Sequence, residues 1–425
     1  MKTMLIGLGP DYNYQIDNHN LWSADNTKYA SNHGASLISR TLLDFFNADY
    51  IDDFTKINAY KKKYDLCVIA FATHITEKRD VSRYYNFVKK QGIKTIAFSL
   101  GIQDYSSSSS NVSQLHPSII NLLEYVTQSS GYIGVRGPYT ASLLIKNGFK
   151  SEKIVSIGCP TIFRPLKKDF KMVKPKTFKK PLIVYHRTMS ELNKKILSSA
   201  PLLGQDFLDE VIFDKNVNQN QFIKKNETKN YHNHKNGSFA LELIKEKGIF
   251  YRKFDLWFEE IKKHDFVIGA RLHGCIAAII QGIPAVMIAR DIRVQEIAEF
   301  YCIPYIKYED IGDMTIEDIY DFADFTDFNK LYASRFNNLI KLLSDLNVLD
   351  KLSFKADVPQ NFVYTKKDEN SFTNILFEEI NTTNLRLNEL NNKLNRNSNN
   401  LNNLIKKLKK IPGFKKINKI LNSVN

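Results

Sequence analysis

The segment HDFVIGARLHGCIAAIIQGIPAVMIARDIRVQEIAEFYCIP, residues 264–304, is the most informative part of this chain about its fold. Strands that alternate with short helices build parallel sheets, and such sheets bind ligands beyond the carboxyl ends of their strands. Two short apolar runs flank a helix of small residues here, at 265–268, 274–280 and 285–289. The stretch therefore predicts an α/β protein, with Arg271 and His273 in a turn at the end of a strand.

This turn is suited to an anion. A helix that opens just after Arg271 and His273 presents free backbone N–H groups, which favour phosphate above all. Only Leu272 separates the two side chains, so they point the same way if the turn is still extended. We expect Arg271 to bind phosphate or to form a salt bridge to the other half of the chain. His273 is expected to handle a proton or to cap the helix, with Gly274 in support.

The next predicted strand end carries a second charged group, in the segment ARDIRVQE. Asp291 and Glu296 are expected to support the site. Arg293 either binds a carboxylate or pairs with Glu296. Both alternatives are open from the sequence.

The first part of the chain contributes candidates for an acceptor site. Asn32, His33 and Gly34 open a predicted helix over 35–46, where free N–H groups would bind a sugar or phosphate, although an Asn in this position also caps helices. Arg136 follows a predicted strand over 131–135. Arg136 is expected either to face the cleft that holds the acceptor or to pack against an acidic side chain.

Several motifs resemble those of the polysaccharide pyruvyl transferase family, over about residues 32–304. The resemblance rests on GARLHGCIAAIIQGIPAV with ARDIRVQEIAEFYCIP, and on the earlier pieces NHGASLISRTLLDFF, IAFSLGIQD and GVRGPYTASLLIKNGF. Two positions depart from the family pattern. Cys159 stands where many relatives carry Asp, and Arg293 stands where many carry Lys.

The resemblance implies transfer of pyruvyl from phosphoenolpyruvate to two hydroxyls of a sugar, as a ketal, in a cell-surface glycan or its lipid-linked precursor. Phosphoenolpyruvate carries a phosphate and a carboxylate, so the site needs at least two fixed cations, and His273 is the expected acid/base group. Arg187 matches a family position and is expected to be a third cation. No metal and no redox cofactor is required.

The order of predicted elements divides the chain. Residues 1–165 alternate as strands and helices, 166–180 are rich in Lys and Pro and read as a linker, and 181–350 alternate again. The first part is the expected acceptor side, and the second holds the donor site. The fold class expected is two Rossmann-like domains that face a cleft, the glycosyltransferase-B-like arrangement that the family resemblance also implies.

Residues 370–425 differ in kind from the rest. Apolar residues recur at spacings of three and four over 376–408, which predicts a helical coiled coil and allows self-association. Seven Lys lie between Lys406 and Lys419. The segment 406–420 is therefore expected either to lie on an anionic membrane surface or to be a solvated basic end.

Composition limits the possible partners. The net charge is +15, but the last 45 residues carry ten Lys and Arg against one Glu, so a nucleic-acid surface is not expected. No apolar run reaches the length of a spanning helix and MKTMLIGLGPDY lacks the apolar core of a signal peptide, which predicts a cytoplasmic protein, peripheral on the inner membrane face if the tail binds there. Four scattered cysteines fit reduced, packed thiols.

Two other functions remain open from the sequence. A glycosyltransferase of similar architecture would use Arg271 and His273 to hold the diphosphate of a nucleotide sugar. A scaffold would act through the coiled-coil tail, with an inactive cleft.

Overall fold

The computed structural model describes residues 2–10, 32–102, 112, 114–165, 167–186, 189, 192, 194–205, 237–251 and 253–352. These residues lie in one compact unit, Met1–Val358. Among them, no helix combines the length and the apolar character needed to cross a bilayer. The predicted tail, residues 370–425, lies outside the described residues.

The first half of the described chain, residues 2–165, contains a parallel sheet with the strand order β2-β1-β3-β4. The strands are β1 Thr3–Gly7, β2 Asp49–Tyr50, β3 Leu66–Ala70 and β4 Lys94–Phe98. A parallel pair, β5 Ile133–Val135 and β6 Ile154–Ser156, follows, and a bridge between Leu100 and Val135 joins it to the end of β4. The buried strands are short and apolar, as expected when helices cover both faces of a sheet.

Helices connect these strands. They are α1 His33–Phe46, α2 Ile57–Lys63, α3 Ser82–Gln91, α4 Pro117–Ser130 and α5 Pro138–Lys146. Asn32 caps α1, since its side chain accepts from the Ala35 N–H, and α1 ends at Asn47 in the left-handed conformation. Prolines at the first position of α4 and α5 favour helix starts there.

The second half, residues 181–352, contains a larger parallel sheet with the order β12-β11-β10-β7-β8-β9. Its strands are β7 Pro181–Val184, β8 Leu202–Leu203, β9 Gly248–Ile249, β10 Phe266–Gly269, β11 Ala285–Ala289 and β12 Tyr305–Lys307. Counted from β7, this is the 3-2-1-4-5-6 order of a doubly wound fold. All strands are parallel, but the order in which strands are added to the sheet reverses between β7 and β10. Ligands bind at such a reversal, beyond the carboxyl ends of the strands.

Helices also connect the strands of the second sheet. They are α6 Lys194–Ser198, α7 Gly237–Lys247, α8 Phe254–Lys262, α9 Leu272–Ile279, α10 Ile292–Tyr301, α11 Ile316–Phe322 and α12 Thr326–Asp345. Helix α9 is buried from His273 to Ile279, which explains its run of small and apolar residues. Thr315 and Asp318 form a capping box at the start of α11.

The α/β class with parallel sheets is confirmed, and most predicted strands agree within two residues. Helices α1 and α9 each begin two residues before their predicted starts, at His33 and at Leu272. The two-residue strands β2, β8 and β9 were not predicted, because so few residues carry no periodicity.

Several contacts join the two halves into one core. Helix α1 packs against α9, and an apolar cluster contains buried residues of both halves. Tyr332 of α12 donates to the Ile162 carbonyl (3.3 Å) in the 3-10 turn Pro160–Phe163. Within the predicted linker, the backbone of Met172 bonds in both directions to the Asn329 side chain (2.7 and 2.9 Å). The linker residues that the structure describes therefore pack on the second half.

Candidate active site

Arg271 lies at the reversal point of the second sheet. It is the N-cap residue of α9, two residues after the end of β10, with an extended backbone. Its Nε donates to the carbonyl of Tyr185 (3.2 Å), the residue that follows β7. The half-buried guanidinium thus spans the two strand ends between which the sheet reverses its order, where an anion can reach it together with the N-terminus of α9.

His273 lies in the first turn of α9 and is only 9% exposed. Its Nε2 is 3.4 Å from Sγ of Cys159, which belongs to the first half. The predicted extended turn, in which Arg271 and His273 point the same way, is wrong, because the helix already begins at Leu272. Arg271 reaches the end of β7 and His273 reaches the turn after β6, so their side chains point to different parts of the site.

The imidazole of His273 is neutral at neutral pH. Burial, and to a smaller extent the charge of Arg136, lowers its pKa to about 3. His273 was expected to have a pKa near neutrality, and in the ligand-free protein its pKa lies well below that. A bound anion beside the ring would favour its protonated form and raise this pKa.

Close packing between α1 and α9 fixes the backbone around His273. A Cβ at Gly34 would lie 2.8 Å from Cβ of His273 and 2.8 Å from Nε2 of Gln205. A Cβ at Gly274 would lie 2.9 Å from Cβ of Val184. Both positions therefore need glycine for the close approach of neighbouring elements.

Asn32 and His33 are both engaged within the protein. The Asn32 side chain accepts from the Ala35 N–H (3.0 Å) and from Nε2 of Gln205 (3.3 Å). His33 is fully buried, with its ring stacked on Trp257 at 5.3 Å between centroids and its Nε2 2.6 Å from the Tyr251 carbonyl oxygen. Burial lowers the pKa of His33 to about 4. Asn32 therefore caps helix α1, which was one of its two predicted roles. His33 packs α1 against residues of the second half.

Arg136 is buried in the first half, at 2% exposure. Its Nε donates to Oγ of Ser99 (3.4 Å). Within the described part of the chain, its Nη2 meets no hydrogen-bond acceptor. Burial lowers the pKa of this guanidinium, against the opposing effect of nearby Cys159 and Glu296.

Glu296 connects α10 to the start of α5. Its Oε1 accepts from the Thr140 N–H (2.7 Å) and its Oε2 from the Thr140 hydroxyl (3.0 Å). A carboxylate is favoured at a helix N-terminus. Burial nevertheless raises the pKa of Glu296 to about 7, while the Thr140 bonds and the charge of Arg136 oppose the rise.

Arg293 pairs with Asp291 in a two-pronged contact. Its Nε donates to Oδ1 (3.0 Å) and its Nη2 to Oδ2 (2.6 Å). Asp291 also caps α10, because its Oδ1 accepts from the N–H groups of Arg293 (3.1 Å) and Val294 (3.4 Å). Arg293 thus pairs with Asp291 and not with Glu296, and Asp291 holds both this cation and the start of α10. Arg187 lies outside the described residues.

Comparison with known families settles the relationship that these motifs indicate. The model of the family described as polysaccharide pyruvyl transferase matches residues 32–292, more than half of the chain. The chain belongs to the polysaccharide pyruvyl transferase family. The match covers both Asn32 and the Arg271–His273 turn, so the two sides of the site lie within the family region. No curated protein sequence matches this pyruvyl transferase family member.

Solved structures similar to this family member include three epimerases. A proposed UDP-N-acetylglucosamine 2-epimerase from Listeria monocytogenes is 12% identical, with a TM-score of 0.41, and the match covers 76% of this chain and 89% of that one. A UDP-N-acetylglucosamine 2-epimerase from Rickettsia bellii is 14% identical, with a TM-score of 0.38 and coverage of 83% and 98%. The UDP-GlcNAc 2-epimerase of Methanocaldococcus jannaschii is 12% identical, with a TM-score of 0.38 and coverage of 81% and 99%.

Three residues of this pyruvyl transferase family site were not among the candidates from the sequence. Cys159 was noted only as a departure from the family pattern and was otherwise expected to fill the core. Gln205 follows the two-residue strand β8, and its backbone carbonyl accepts from the His33 N–H (3.1 Å). Ser99 follows β4. Ser99 could have been found from its position directly after a predicted strand. No signal in the sequence pointed to Gln205.

Proposed function

We propose that this protein transfers pyruvyl from phosphoenolpyruvate to two hydroxyls of a sugar in a cell-surface glycan or its precursor, with formation of a ketal. Membership in the polysaccharide pyruvyl transferase family carries the proposal. The position of the Arg271–His273 turn, at the reversal point of the second sheet, supports it.

The donor would bind between the two halves, on the side of β7 and β10. Arg271 would bind the phosphate together with the first N–H groups of α9, which have no acceptor within their own helix. Arg187 and Arg293 would supply further positive charge for the carboxylate. Since Arg293 is already held by Asp291, its guanidinium is fixed in orientation. Binding of the donor carboxylate to it would therefore cost little further side-chain entropy.

His273 would carry the proton between the two substrates. A sugar hydroxyl attacks carbon 2 of the enol and gives its proton to the neutral imidazole, and carbon 3 receives a proton from the imidazolium. A second hydroxyl of the sugar then displaces phosphate from carbon 2 and gives its proton to the departing phosphate, which closes the ketal. Because His273 is buried, the imidazolium holds its proton weakly, which favours passing it on to carbon 3.

The two halves would work in the glycosyltransferase-B-like manner, with the acceptor on the first half. Two parallel α/β sheets in one compact unit support this arrangement. The first turn of α1, at Asn32 to Gly34, lies against α9 and would form the boundary between acceptor and donor.

Incubation of the purified protein with phosphoenolpyruvate and a panel of sugar and lipid-linked acceptors tests the function. We expect acceptor-dependent release of phosphate and a product whose mass increases by one pyruvyl ketal. In parallel, thermal unfolding measures stabilisation by phosphoenolpyruvate and by nucleotide sugars. Stabilisation by nucleotide sugars alone, without phosphate release from phosphoenolpyruvate, would instead favour a glycosyltransferase.

We also propose that the Lys-rich segment 406–420 binds an anionic membrane surface. Seven Lys with interspersed apolar residues support this, since each Lys near such a surface contributes about 1 kcal/mol. The test is co-sedimentation of the full chain with vesicles containing anionic or only neutral lipids. Equal binding of a variant with these Lys changed to Gln would contradict the proposal.

A further inference from the structure

Two buried nitrogen atoms of the first half, on the segments that follow β3 and β5, meet no hydrogen-bond acceptor among the described residues. They are Nη2 of Arg136, in a residue 2% exposed, and Nδ1 of His74, in a residue 8% exposed. Buried polar groups are almost always paired in folded proteins, so two such atoms on adjacent segments require an explanation.

The contacts of His74 establish that its Nδ1 is a donor. Nη1 of Arg79 lies 2.8 Å from Nε2 of His74, and a guanidinium can only donate. Nε2 must therefore accept, and the proton of the neutral ring is on Nδ1. The ring stacks on Phe71, with 4.3 Å between centroids and 9° between planes, which fixes the direction of this N–H.

Arg136 is a buried cation without a hydrogen-bonded counterion. Within the described residues, its side chain bonds only to Oγ of Ser99. Glu296 lies nearby, but both of its oxygens are taken by Thr140, and its raised pKa leaves it incompletely ionised at neutral pH. The extended stem of Arg136 also needs Gly101, where a Cβ would lie 2.6 Å from its Cδ.

Backbone hydrogen bonds hold the segments that carry these groups side by side. The Gly101 N–H donates to the Ala72 carbonyl (2.9 Å), and the Arg136 N–H donates to the Leu100 carbonyl (2.9 Å). The segments follow β3, β4 and β5, so His74, Ser99 and Arg136 occupy the carboxyl edge of neighbouring parallel strands. The charge of Arg136 is close enough to lower the pKa of His74. Two donors and one positive charge thus share one edge of the sheet.

We infer that Arg136 and His74 form an oxyanion-binding site in the first half, which accepts a carboxylate or phosphate group of a substrate. Nη2 of Arg136 supplies a charged donor, and Nδ1 of His74 supplies a neutral one. An oxyanion satisfies both, and it neutralises a cation that burial otherwise makes costly. The inference rests on the proposed function only for the origin of the group, which belongs either to the donor phosphoenolpyruvate or to an acidic acceptor.

Titration calorimetry and thermal unfolding of the full chain test this site with inorganic phosphate, pyruvate, phosphoenolpyruvate and a sugar phosphate. We expect Arg136→Gln to weaken binding of at least one of these oxyanions about tenfold or more. The same variant should unfold at an equal or higher temperature than the wild type without ligand, because it removes an uncompensated buried charge. Arg164→Gln is the control, since Arg164 is already paired with Asp44 (2.7 Å) and its loss should leave oxyanion binding unchanged.

His74→Phe provides a second variant, which keeps the stacking on Phe71 and removes Nδ1, and it should also weaken oxyanion binding. If Arg136→Gln does not fold, the His74→Phe result decides. Wild-type affinity in the variants that fold would overturn the site, and so would the absence of oxyanion binding to the wild type. If only phosphoenolpyruvate binding weakens, the group comes from the donor; if only binding of a sugar phosphate weakens, it comes from the acceptor. Phosphate binding that depends on Arg136 without pyruvyl transfer would retain the site while refuting the proposed function.

Discussion

Nε2 of His273 lies 3.4 Å from Sγ of Cys159, in a buried contact that joins the second half of the protein to the first. The thiol also lies 3.0 Å from the hydroxyl of Thr161. A neutral thiol positions an imidazole without stabilising its charged form, whereas a carboxylate does both. The choice of Cys at this position therefore bears directly on the protonation of His273.

We expect Cys159→Asp to raise the pKa of His273 from about 3 by at least about one unit, because an opposite charge at this distance favours the imidazolium. Titration of the His273 ring by NMR measures the change. Cys159→Ser is the matched control, since it replaces the thiol with a neutral hydroxyl and should leave the pKa low. An unchanged pKa in Cys159→Asp would mean that the new carboxyl is itself protonated or turned away.

His273→Gln should fold as the wild type does and should lose pyruvyl transfer by about 10²- to 10⁴-fold, the usual contribution of a general acid/base group. Phosphate release under saturating phosphoenolpyruvate measures the rate. His264→Gln is the control, because His264 precedes β10 and lies at the opposite edge of the sheet. Equal turnover in both variants would remove His273 from the mechanism.

Gly34→Ala should destabilise the protein by about 1–3 kcal/mol, the usual range for overpacking. The added Cβ would lie 2.8 Å from Cβ of His273, and neither helix backbone can move freely between the packed halves. Urea unfolding measures the free energy, and the His273 resonances report any displacement of the ring. Wild-type stability with unshifted resonances would show that α1 and α9 separate easily.

Glu296→Gln should remove part of the pH dependence of stability. The pKa of Glu296 is about 7 in the folded protein, above its ordinary value of 4.5, so between these pH values the folded state binds more protons than the unfolded state. The contribution of Glu296 is therefore fully present below about pH 4.5 and is lost as the pH rises through 7, by roughly 3 kcal/mol at most.

The measurement is the difference in free energy of unfolding between the wild type and Glu296→Gln from pH 4.5 to 8. We expect the wild type to lose stability relative to Glu296→Gln as the pH rises. Glu299→Gln is the matched control, since Glu299 is exposed on the same helix and should leave the slope of the wild type in place. A constant difference for Glu296→Gln would mean that Thr140 and Arg136 keep this carboxylate ionised throughout.

The sequence predicted the elements with strong periodicity and clear ends. Strand β11 agrees in every residue with the predicted run 285–289, because an apolar run bounded by Pro and a charged residue leaves little choice. The Arg271–His273 turn was placed at the end of a strand for the same reason. The start of α9 was misplaced by two residues, since Leu272 and His273 carry no start signal of their own.

Local pattern and the family motifs were enough to determine the α/β class, the positions of Arg271, His273 and Arg136 at strand ends, and the family of the chain. Tertiary structure alone decided the partners of these side chains: Cys159 for His273, Tyr185 for Arg271, and Ser99 for Arg136. The physical reason is that hydrogen-bond partners and burial arise between segments far apart in the chain. Their meeting depends on the order of the strands in each sheet, and strand order leaves no periodic trace in the sequence.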